Sequence, residues 1–208
     1  MPDEPRLARD AGVVVPIRSF TFGKARLASH LATSSRAVLA REMAERVVAA
    51  AGRRTVVVVS SAPDVVDWLR ERGLEHVPDP GSLDGAADAG RARDRDLGLP
   101  SVVVAHADLP LVTTLDAAVA PRESRVAVIV PCHRGDGTPV LGLPSDAPFS
   151  FSYGPGSFAR HRAEAARCGL EVRVVSDPSL AFDVDVPDDL ELLAELRART
   201  SLHAPHTR

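Results

Sequence analysis

The sequence predicts an α/β fold, a single domain built on a mostly parallel, doubly wound sheet. Short apolar segments of strand length alternate along the chain with segments of helical periodicity. Val and Ala dominate the apolar residues, and aromatic residues make up only 4%, which suits a buried parallel sheet better than a β-sandwich. The 208 residues suffice for one sizeable domain. We therefore expect one domain over residues 1–198 and a disordered tail over residues 199–208.

The predicted strands are continuous apolar segments, as expected of strands that are buried on both faces. They lie at residues 12–17, 55–59, 75–78, 101–106, 125–130 and 139–143, with a Val-rich segment between Gly169 and Asp177 and a short strand at 183–186. Ligands of doubly wound sheets bind at the carboxyl ends of the strands. The loops that follow residues 17, 59, 106 and 130 are therefore where a site is expected.

The predicted helices fill the intervals between these strands and end at glycine or proline. They lie at residues 36–51 with Ser35 as the N-cap, at 64–72, at 83–98, in a short turn that starts at Thr114 or Asp116, before Gly169, and from Pro187 onward. Pro187 at the first turn, followed by Asp188 and Asp189, is typical of a helix start, because the N-terminal end of the helix dipole favours acids.

Composition excludes several classes of protein. The formal net charge of −3 argues against general nucleic-acid binding by bulk electrostatics. The chain has no run of 18 apolar residues and no apolar signal segment near its start, so a cytoplasmic location is expected. The two cysteines, Cys132 and Cys168, have no metal-binding spacing and are interpreted as structural thiols.

A basic loop follows the first predicted strand and carries Arg18, Lys24 and Arg26, with Gly23 beside the lysine. Three cations at the carboxyl edge of a sheet can hold a polyphosphate, Arg through paired donors and Lys as a point charge. The P-loop pattern is absent, and a solvated basic loop explains the same residues. Taken alone, this loop leaves both interpretations open.

Acidic residues follow two apolar segments. Asp108 comes directly after the most hydrophobic predicted strand, where a carboxylate suits Mg²⁺. In FDVDVP, strand alternation puts Asp183 and Asp185 on one side of the chain, and a cation between them and Asp108 would relieve their repulsion. The alternative is that Asp108 caps the next turn and that the second acid of the pair, Asp185, caps the final helix.

The segment GPGSFA at residues 154–159 matches the dinucleotide-binding pattern G-x-G-x-x-A, with a helix, a strand and Asp177 after it. That pattern normally opens a domain, however, and only about 30 residues follow Asp177 here, too few to complete one. We therefore interpret Gly154, Gly156 and Ser157 as an anion cradle in which Ser157 caps a helix whose N-terminus supplies N–H donors. NAD-dependent oxidoreduction is the weaker alternative.

The loop HRGDGT at residues 133–138 allows close backbone approach through its glycines and offers the hydroxyl of Thr138 as a hydrogen-bond donor. A simple hairpin turn explains the same pattern. No Ser–His–Asp order and no paired catalytic histidines are present in the sequence. His106, His133 and His161 are therefore interpreted as ordinary polar residues rather than as general bases.

Taken in order, these segments resemble the guanylyltransferases of deazaflavin coenzyme F-420 biosynthesis. Members of that family join GTP to phosphoenolpyruvate or 2-phospho-L-lactate and release pyrophosphate. The resemblance covers about residues 12–196 and rests on VVVPIRSFTFGKARL, AHADLPLV, RGDGTPVL, FSYGPGSFARH and AFDVDVPDDLELL.

The resemblance implies a single GT-A-like nucleotidyltransferase domain with Mg²⁺ as its cofactor and with GTP and a small phosphorylated carboxylic acid as partners. Lys24 and Asp108 would be the catalytic residues. The implied nucleotide-binding residues are Arg18, Lys24, Arg26, Ser60, Ser61 and Asp84. The implied metal ligands are Asp108, Asp185 and Asp183, and the implied acceptor-binding residues are Thr138, Gly154, Gly156 and Ser157.

The chain departs from the family pattern at Leu83-Asp84-Gly85, where Leu-Asn-Ala is common, and at Pro139. Two further alternatives therefore stay open, namely another phospho-acceptor, such as a sugar phosphate or a molybdopterin, and a non-catalytic nucleotide-binding relative. A composition rich in Ala, Arg and Val is typical of high-GC bacteria, whose relatives favour phosphoenolpyruvate. A homodimer is also left open, and neither a nucleic acid nor a membrane is expected as a partner.

Overall fold

The structure is a computed structural model that describes residues 10–202. Its strands are β1 (Gly12–Pro16), β2 (Thr55–Val59), β3 (Glu75–Val77), β4 (Ser101–Ala105), β5 (Val126–Val130), β6 (Val140–Pro144) and β7 (Glu171–Val174). Its α-helices are α1 (Thr33–Ala50), α2 (Pro63–Arg72), α3 (Leu83–Asp96), α4 (Ser157–Arg167), α5 (Pro178–Ala181) and α6 (Pro187–Leu202), and short 3₁₀ helices span Ala25–Leu27 and Asp116–Ala118.

The seven strands form one sheet in the order β3-β2-β1-β4-β6-β5-β7. Only β6 runs antiparallel, pairing with β4 on one side and β5 on the other, and the remaining pairs are parallel. Because β6 is reversed, its first residues lie at the same edge as the last residues of β4, with Ala105 opposite Val140. This confirms the predicted mostly parallel α/β sheet, and it brings the loops before β6 and after β4 together.

Alternation along β1 divides the core between the two faces of the sheet. Val13 and Val15 pack with α1 and α2, whereas Val14 packs with α3. Gly90 allows α3 to lie directly on β1, because a Cβ at that position would overlap the side chain of Val14. Burial of these Val and Ala side chains on both faces supplies the apolar driving force for the fold.

Several element boundaries differ from the sequence-based expectation. Ser35 lies inside α1, which begins at Thr33 without a side-chain cap. Residues 183–186 form no strand, because a single backbone bond, from Val184 N to the Asp108 carbonyl at 3.2 Å, connects this segment to the loop after β4. Asp177, the acid that follows the G-x-G-x-x-A segment, is the N-cap of α5 and accepts from Ser179 N.

The predicted domain limit at residue 198 falls inside α6. Helix α6 continues to Leu202, four residues into the segment predicted as a tail, and the rest of that segment and residues 1–9 lie outside the described residues. Within residues 10–202, no helix combines the length and the apolar character that crossing a bilayer requires. Cys132 and Cys168 are buried free thiols.

Candidate active site

Lys24 joins three separate segments at the carboxyl end of β4. Its Nζ donates to Asp108 Oδ2 and, at 3.1 Å, to Asp185 Oδ1. Asp108 follows β4 by three residues, and Asp185 lies just before α6. Backbone geometry aims the lysine, since Lys24 has a left-handed φ of 54° at the start of the first 3₁₀ helix. The structure thus brings three of the sequence-predicted site residues into direct contact.

The electrostatics of this cluster favour its charged form. Burial by itself would lower the pKa of Lys24, but the negative charges of Asp108 and Asp185 outweigh it, so the pKa of the lysine is raised. Burial would likewise raise the pKa of Asp108, yet the adjacent ammonium group lowers it below the ordinary value. Lys24 is therefore an ammonium and Asp108 a carboxylate at neutral pH.

The loop that carries Lys24 is attached to α2 at two points. Asp64 Oδ2 accepts hydrogen bonds from Ser19 Oγ at 3.0 Å, from Thr21 N at 2.9 Å and from Thr21 Oγ1 at 3.0 Å. The buried ring of Phe20 packs edge-on against Trp68, with ring centroids 5.4 Å apart. These contacts hold the basic loop in one shape before any ligand binds.

A cleft of about 410 Å³ opens beside the lysine. The residues that line it include three cations and two carboxylates, namely Arg18, Lys24, Arg26, Asp108 and Asp185. Arg18 and Arg26 are exposed, and within residues 10–202 no hydrogen bond or ion pair to either guanidinium is found. Two uncommitted guanidinium groups and an ammonium beside carboxylates form an arrangement that fits a polyphosphate chelated with a divalent cation.

A second acidic cluster lies next to this cleft. The Asp183 carboxylate contacts His133 Nδ1 at 3.2 Å rather than Lys24, and burial together with the charges of Asp108 and Asp185 raises its pKa. Asp189 accepts from the backbone N–H groups of Asp185 and Val186 at 2.8 and 2.9 Å. Asp189 therefore binds the two N–H groups that directly precede α6, and these bonds constrain the backbone that carries Asp185.

The carboxylates fit Mg²⁺ as the cation of this site. Asp108 Oδ1 is buried and has no hydrogen-bond partner among the described residues, which leaves a hard oxygen donor uncommitted. Within residues 10–202, no group of three or more His, Cys, Asp or Glu side chains is arranged to hold a metal. A pair of carboxylates supplemented by substrate phosphates is how proteins usually hold Mg²⁺, so Asp108 and Asp185 remain candidate ligands.

The predicted acceptor residues form a buried cluster of hydroxyl groups. Thr138 and Ser157 are almost fully buried, and their oxygens lie 3.4 Å apart. Gly154 and Gly156 adopt left-handed φ values of 98° and 74°, so the chain can turn sharply into α4. The N-cap of α4 is Gly156 and has no side-chain cap bond. The expected Ser157 cap is therefore wrong, because its side chain points inward to Thr138.

Three predicted nucleotide contacts lie outside the cleft lining. Ser60 is buried and its Oγ accepts from Ala62 N at 3.2 Å, and Ser61 Oγ accepts from Asp79 N at 2.9 Å. Asp84 Oδ1 accepts from Tyr153 N at 2.6 Å. This bond connects α3 to the glycine loop, by which we mean residues 152–156. Their proposed contacts with a nucleoside stay predictions.

Reading the sequence missed the residues that brace these loops. Asp64 is 43 to 45 residues from its partners, so no local pattern connects them. The Arg160 guanidinium donates to the carbonyls of Ser152, Tyr153 and Pro155, and His161 contacts Thr138 Oγ1 at 3.1 Å. Arg160 and His161 directly follow the GPGSFA segment in the sequence. Their place next to this motif was the signal that could have identified them.

Comparison with known proteins identifies the family of this chain. Residues 11–198 match the family described as guanylyl transferase CofC like. The chain is 38% identical over 187 residues to a phosphoenolpyruvate guanylyltransferase of Rubrobacter xylanophilus, covering 86% of this chain and 91% of that protein. It is 31% identical over 185 residues to a 2-phospho-L-lactate guanylyltransferase of Methanothermobacter thermautotrophicus, covering 85% and 81%.

Solved structures show the same fold at low identity. A nucleotidyl transferase from Methanothermobacter has a TM-score of 0.61 at 16% identity, covering 91% of this chain and 98% of that one. A CMP:2-keto-3-deoxy-manno-octonic acid synthetase has a TM-score of 0.55 at 14% identity, covering 92% and 99%. These likenesses confirm the predicted nucleotidyltransferase fold. With the family match over residues 11–198, the chain belongs to the CofC-like guanylyl transferase family.

Proposed function

We propose that this protein transfers the guanylyl group of GTP to phosphoenolpyruvate and releases pyrophosphate, as a step of coenzyme F-420 biosynthesis. The observation that carries the proposal is the convergence of Lys24, Asp108 and Asp185 at a cleft with two uncommitted arginines. Family membership supports the guanylyl transfer. The acceptor follows from relatives named phosphoenolpyruvate guanylyltransferase at 36 to 38% identity.

The chemistry of this step places modest demands on the protein. A phosphate oxygen of the acceptor attacks the α-phosphorus of GTP, and the bond to the β-phosphate oxygen breaks, so that pyrophosphate leaves with the electron pair. The acceptor oxygen is already anionic near neutral pH, so no general base is needed. The work of the enzyme is then positioning and charge neutralisation.

The basic loop performs both tasks for the nucleotide. Arg18 and Arg26 bind the outer phosphates, and Lys24 neutralises charge that develops on the leaving pyrophosphate. Asp64 keeps this loop in place through its three hydrogen bonds. Because the loop is ordered in advance, little conformational entropy is lost when GTP binds.

Asp108 and Asp185 would hold Mg²⁺, which when bound supplies Lewis-acid stabilisation of the phosphoryl oxygens. Asp108 offers its uncommitted buried Oδ1, and Asp185 offers a half-exposed carboxylate at the mouth of the cleft. On the acceptor side, the hydroxyl groups of Thr138 and Ser157, at the N-terminal end of α4, would bind the anionic groups of the small acid.

The proposal is tested by a pyrophosphate-release screen of four nucleoside triphosphates against phosphoenolpyruvate, 2-phospho-L-lactate and 3-phosphoglycerate. We expect turnover with GTP and phosphoenolpyruvate that requires added Mg²⁺ and is lost in Lys24→Met. Turnover with 2-phospho-L-lactate alone would transfer the assignment to that acceptor. Absence of turnover with every pair would overturn the proposal in favour of a non-catalytic nucleotide-binding relative.

A further inference from the structure

A buried histidine lies behind the hydroxyl cluster and is in contact with it. His161 is fully buried in α4. Its Nε2 lies 3.0 Å from Ser152 N, and its Nδ1 lies 3.1 Å from Thr138 Oγ1. The imidazole therefore joins the backbone of the glycine loop to the hydroxyl of Thr138.

The protonation of this ring follows from its partners. A backbone N–H can only donate, so Nε2 must be the unprotonated, accepting nitrogen. Burial lowers the pKa of His161 to about 4, so the ring is neutral at physiological pH. A neutral imidazole carries one proton, which must then lie on Nδ1 and point at Thr138 Oγ1.

This tautomer controls the direction of the hydroxyl protons. Thr138 accepts from His161 and therefore cannot use its own proton on the ring. The remaining contact of Thr138 is with Ser157 Oγ at 3.4 Å, and only one of the two hydroxyl groups can donate across it. One hydroxyl proton is thus left over for a ligand. With the opposite tautomer, Thr138 would donate to the ring and Ser157 to Thr138, and no proton would remain.

The position of the leftover proton fits an anionic ligand. Ser157 is the first residue of the 11-residue α4, where the helix dipole favours negative charge. The N–H groups of Ser157 and Phe158 already donate to the carbonyls of Gly154 and Asp136, so a side-chain hydroxyl is the donor that remains for an anion at this point. Thr138 lies beside the loop that carries Asp108, because the next residue, Pro139, accepts from His106 N at 2.9 Å. A hydroxyl donor at that place would meet an anionic oxygen of the acceptor.

We infer that His161 is a positioning residue that orients the Thr138–Ser157 hydroxyl pair as a hydrogen-bond donor to an anionic oxygen of the phosphorylated acceptor. The inference rests on the proposed function for the identity of the acceptor. The direction of the hydrogen bonds, however, is a property of the free protein.

Two substitutions separate the two hydrogen bonds of the ring. In His161→Asn, the amide nitrogen comes close to the place of Nδ1 and can still donate to Thr138. In His161→Gln, the amide oxygen comes close to the place of Nε2, so the bond from Ser152 N is kept and the donor to Thr138 is lost. Each variant loses one buried hydrogen bond, so a purely structural role predicts similar changes for both.

We expect His161→Gln to raise KM for the acceptor about tenfold with KM for GTP unchanged, since a lost hydrogen bond to a charged group has about this effect. His161→Asn should stay within about threefold of the wild type. In a Thr138→Val background, His161→Gln should add no more than about twofold, because the two residues act together. Equal changes in the Asn and Gln variants, or a rise in KM for GTP alone, would overturn the inference.

Ring nitrogen NMR on the free protein tests the tautomer without any turnover. The His161 signals are assigned by their loss in the two variants, and at pH 7 we expect a protonated Nδ1 and an unprotonated Nε2. A protonated Nε2 would overturn the inference whether or not the enzyme is active. Absence of pyrophosphate release would instead overturn only the proposed reaction.

Discussion

Two poorly exposed aspartates, one near the carboxyl ends of the strands and one near their amino ends, differ in their partners. Asp108, at the carboxyl end of β4, bonds to Lys24, and its pKa is lowered. Asp94, in α3, is fully buried beside Gly12 at the start of β1, and neither carboxyl oxygen has a hydrogen-bond partner among the described residues. Burial raises its pKa to about 7.

The difference shows how the same burial leads to opposite outcomes. A charged partner keeps Asp108 ionised and therefore available for cation chemistry. Without such a partner, Asp94 must either hold a proton or remain a costly buried charge. Of the two aspartates, only Asp108, beside the cleft, is therefore held fully ionised at neutral pH.

The largest effect is expected for Asp108→Asn. The change replaces one carboxylate oxygen by an amide nitrogen and removes the negative charge beside Lys24, so turnover should fall about 1,000-fold, or about 4 kcal/mol of transition-state stabilisation. Pyrophosphate release measures the loss. Circular dichroism checks that the variant is still folded, as expected because Lys24 keeps its bond to Asp185. Asp94→Asn, near the amino ends of the strands, is the matched control and should keep its activity. Near-normal turnover in Asp108→Asn would sink the proposed role.

A smaller effect concerns stability and Asp94. Because the folded-state pKa of this acid is raised, its contribution to stability is fully present below the unfolded pKa and is lost as pH rises toward 7. Relative to Asp94→Asn, the wild type should lose about 2–3 kcal/mol of unfolding free energy between pH 5 and pH 8. Urea unfolding at the two pH values measures the difference.

Asp96, exposed two residues further along α3, provides the control for this experiment. Asp96→Asn should leave the pH dependence of unfolding as it is in the wild type. If the unfolding free energies of Asp94→Asn and the wild type change equally between pH 5 and pH 8, Asp94 is not protonated on folding. The contrast between the two buried aspartates would then disappear.

The smallest effect is expected for Asp64→Ala, which releases the loop that carries Lys24. Loss of three hydrogen bonds should raise KM for GTP about tenfold, or about 1.4 kcal/mol, because the loop must then be ordered on binding. Initial-rate kinetics at saturating acceptor measure it. Asp67→Asn, an exposed neighbour on α2 paired with Arg70, should change nothing. An unchanged KM for GTP in Asp64→Ala would mean that the basic loop keeps its conformation without the hydrogen bonds to Asp64.

Local patterns were enough to predict the sheet and part of the site. Continuous apolar strands of Val, such as Val56–Val59, could only be buried, and the prediction of a mostly parallel sheet is confirmed. The GKAR, ADLP and DVDVPDD segments carried Lys24, Asp108 and Asp185, which the fold brings together. The family predicted from these segments is confirmed. The roles of the individual residues stay predictions until the variants are measured.

Contacts between distant segments could not be predicted in this way. Asp64 and its partners are separated by more than 40 residues, and a hydrogen bond across such a distance leaves no periodicity to detect. Asp183 and Asp185 alternate as a strand would, yet they have different partners in the folded chain, His133 for Asp183 and Lys24 for Asp185.

The sequence by itself determined the α/β class and the residue types of the candidate site, because apolar periodicity and short motifs are local properties. The tertiary structure alone decided which carboxylate keeps its charge, which residues attach the basic loop to α2 and which ring nitrogen of His161 carries the proton. Those outcomes depend on burial and on partners from other elements. His161 illustrates the point, since as a letter in the sequence it was an ordinary polar residue, and its protonation follows only from the two groups that flank it.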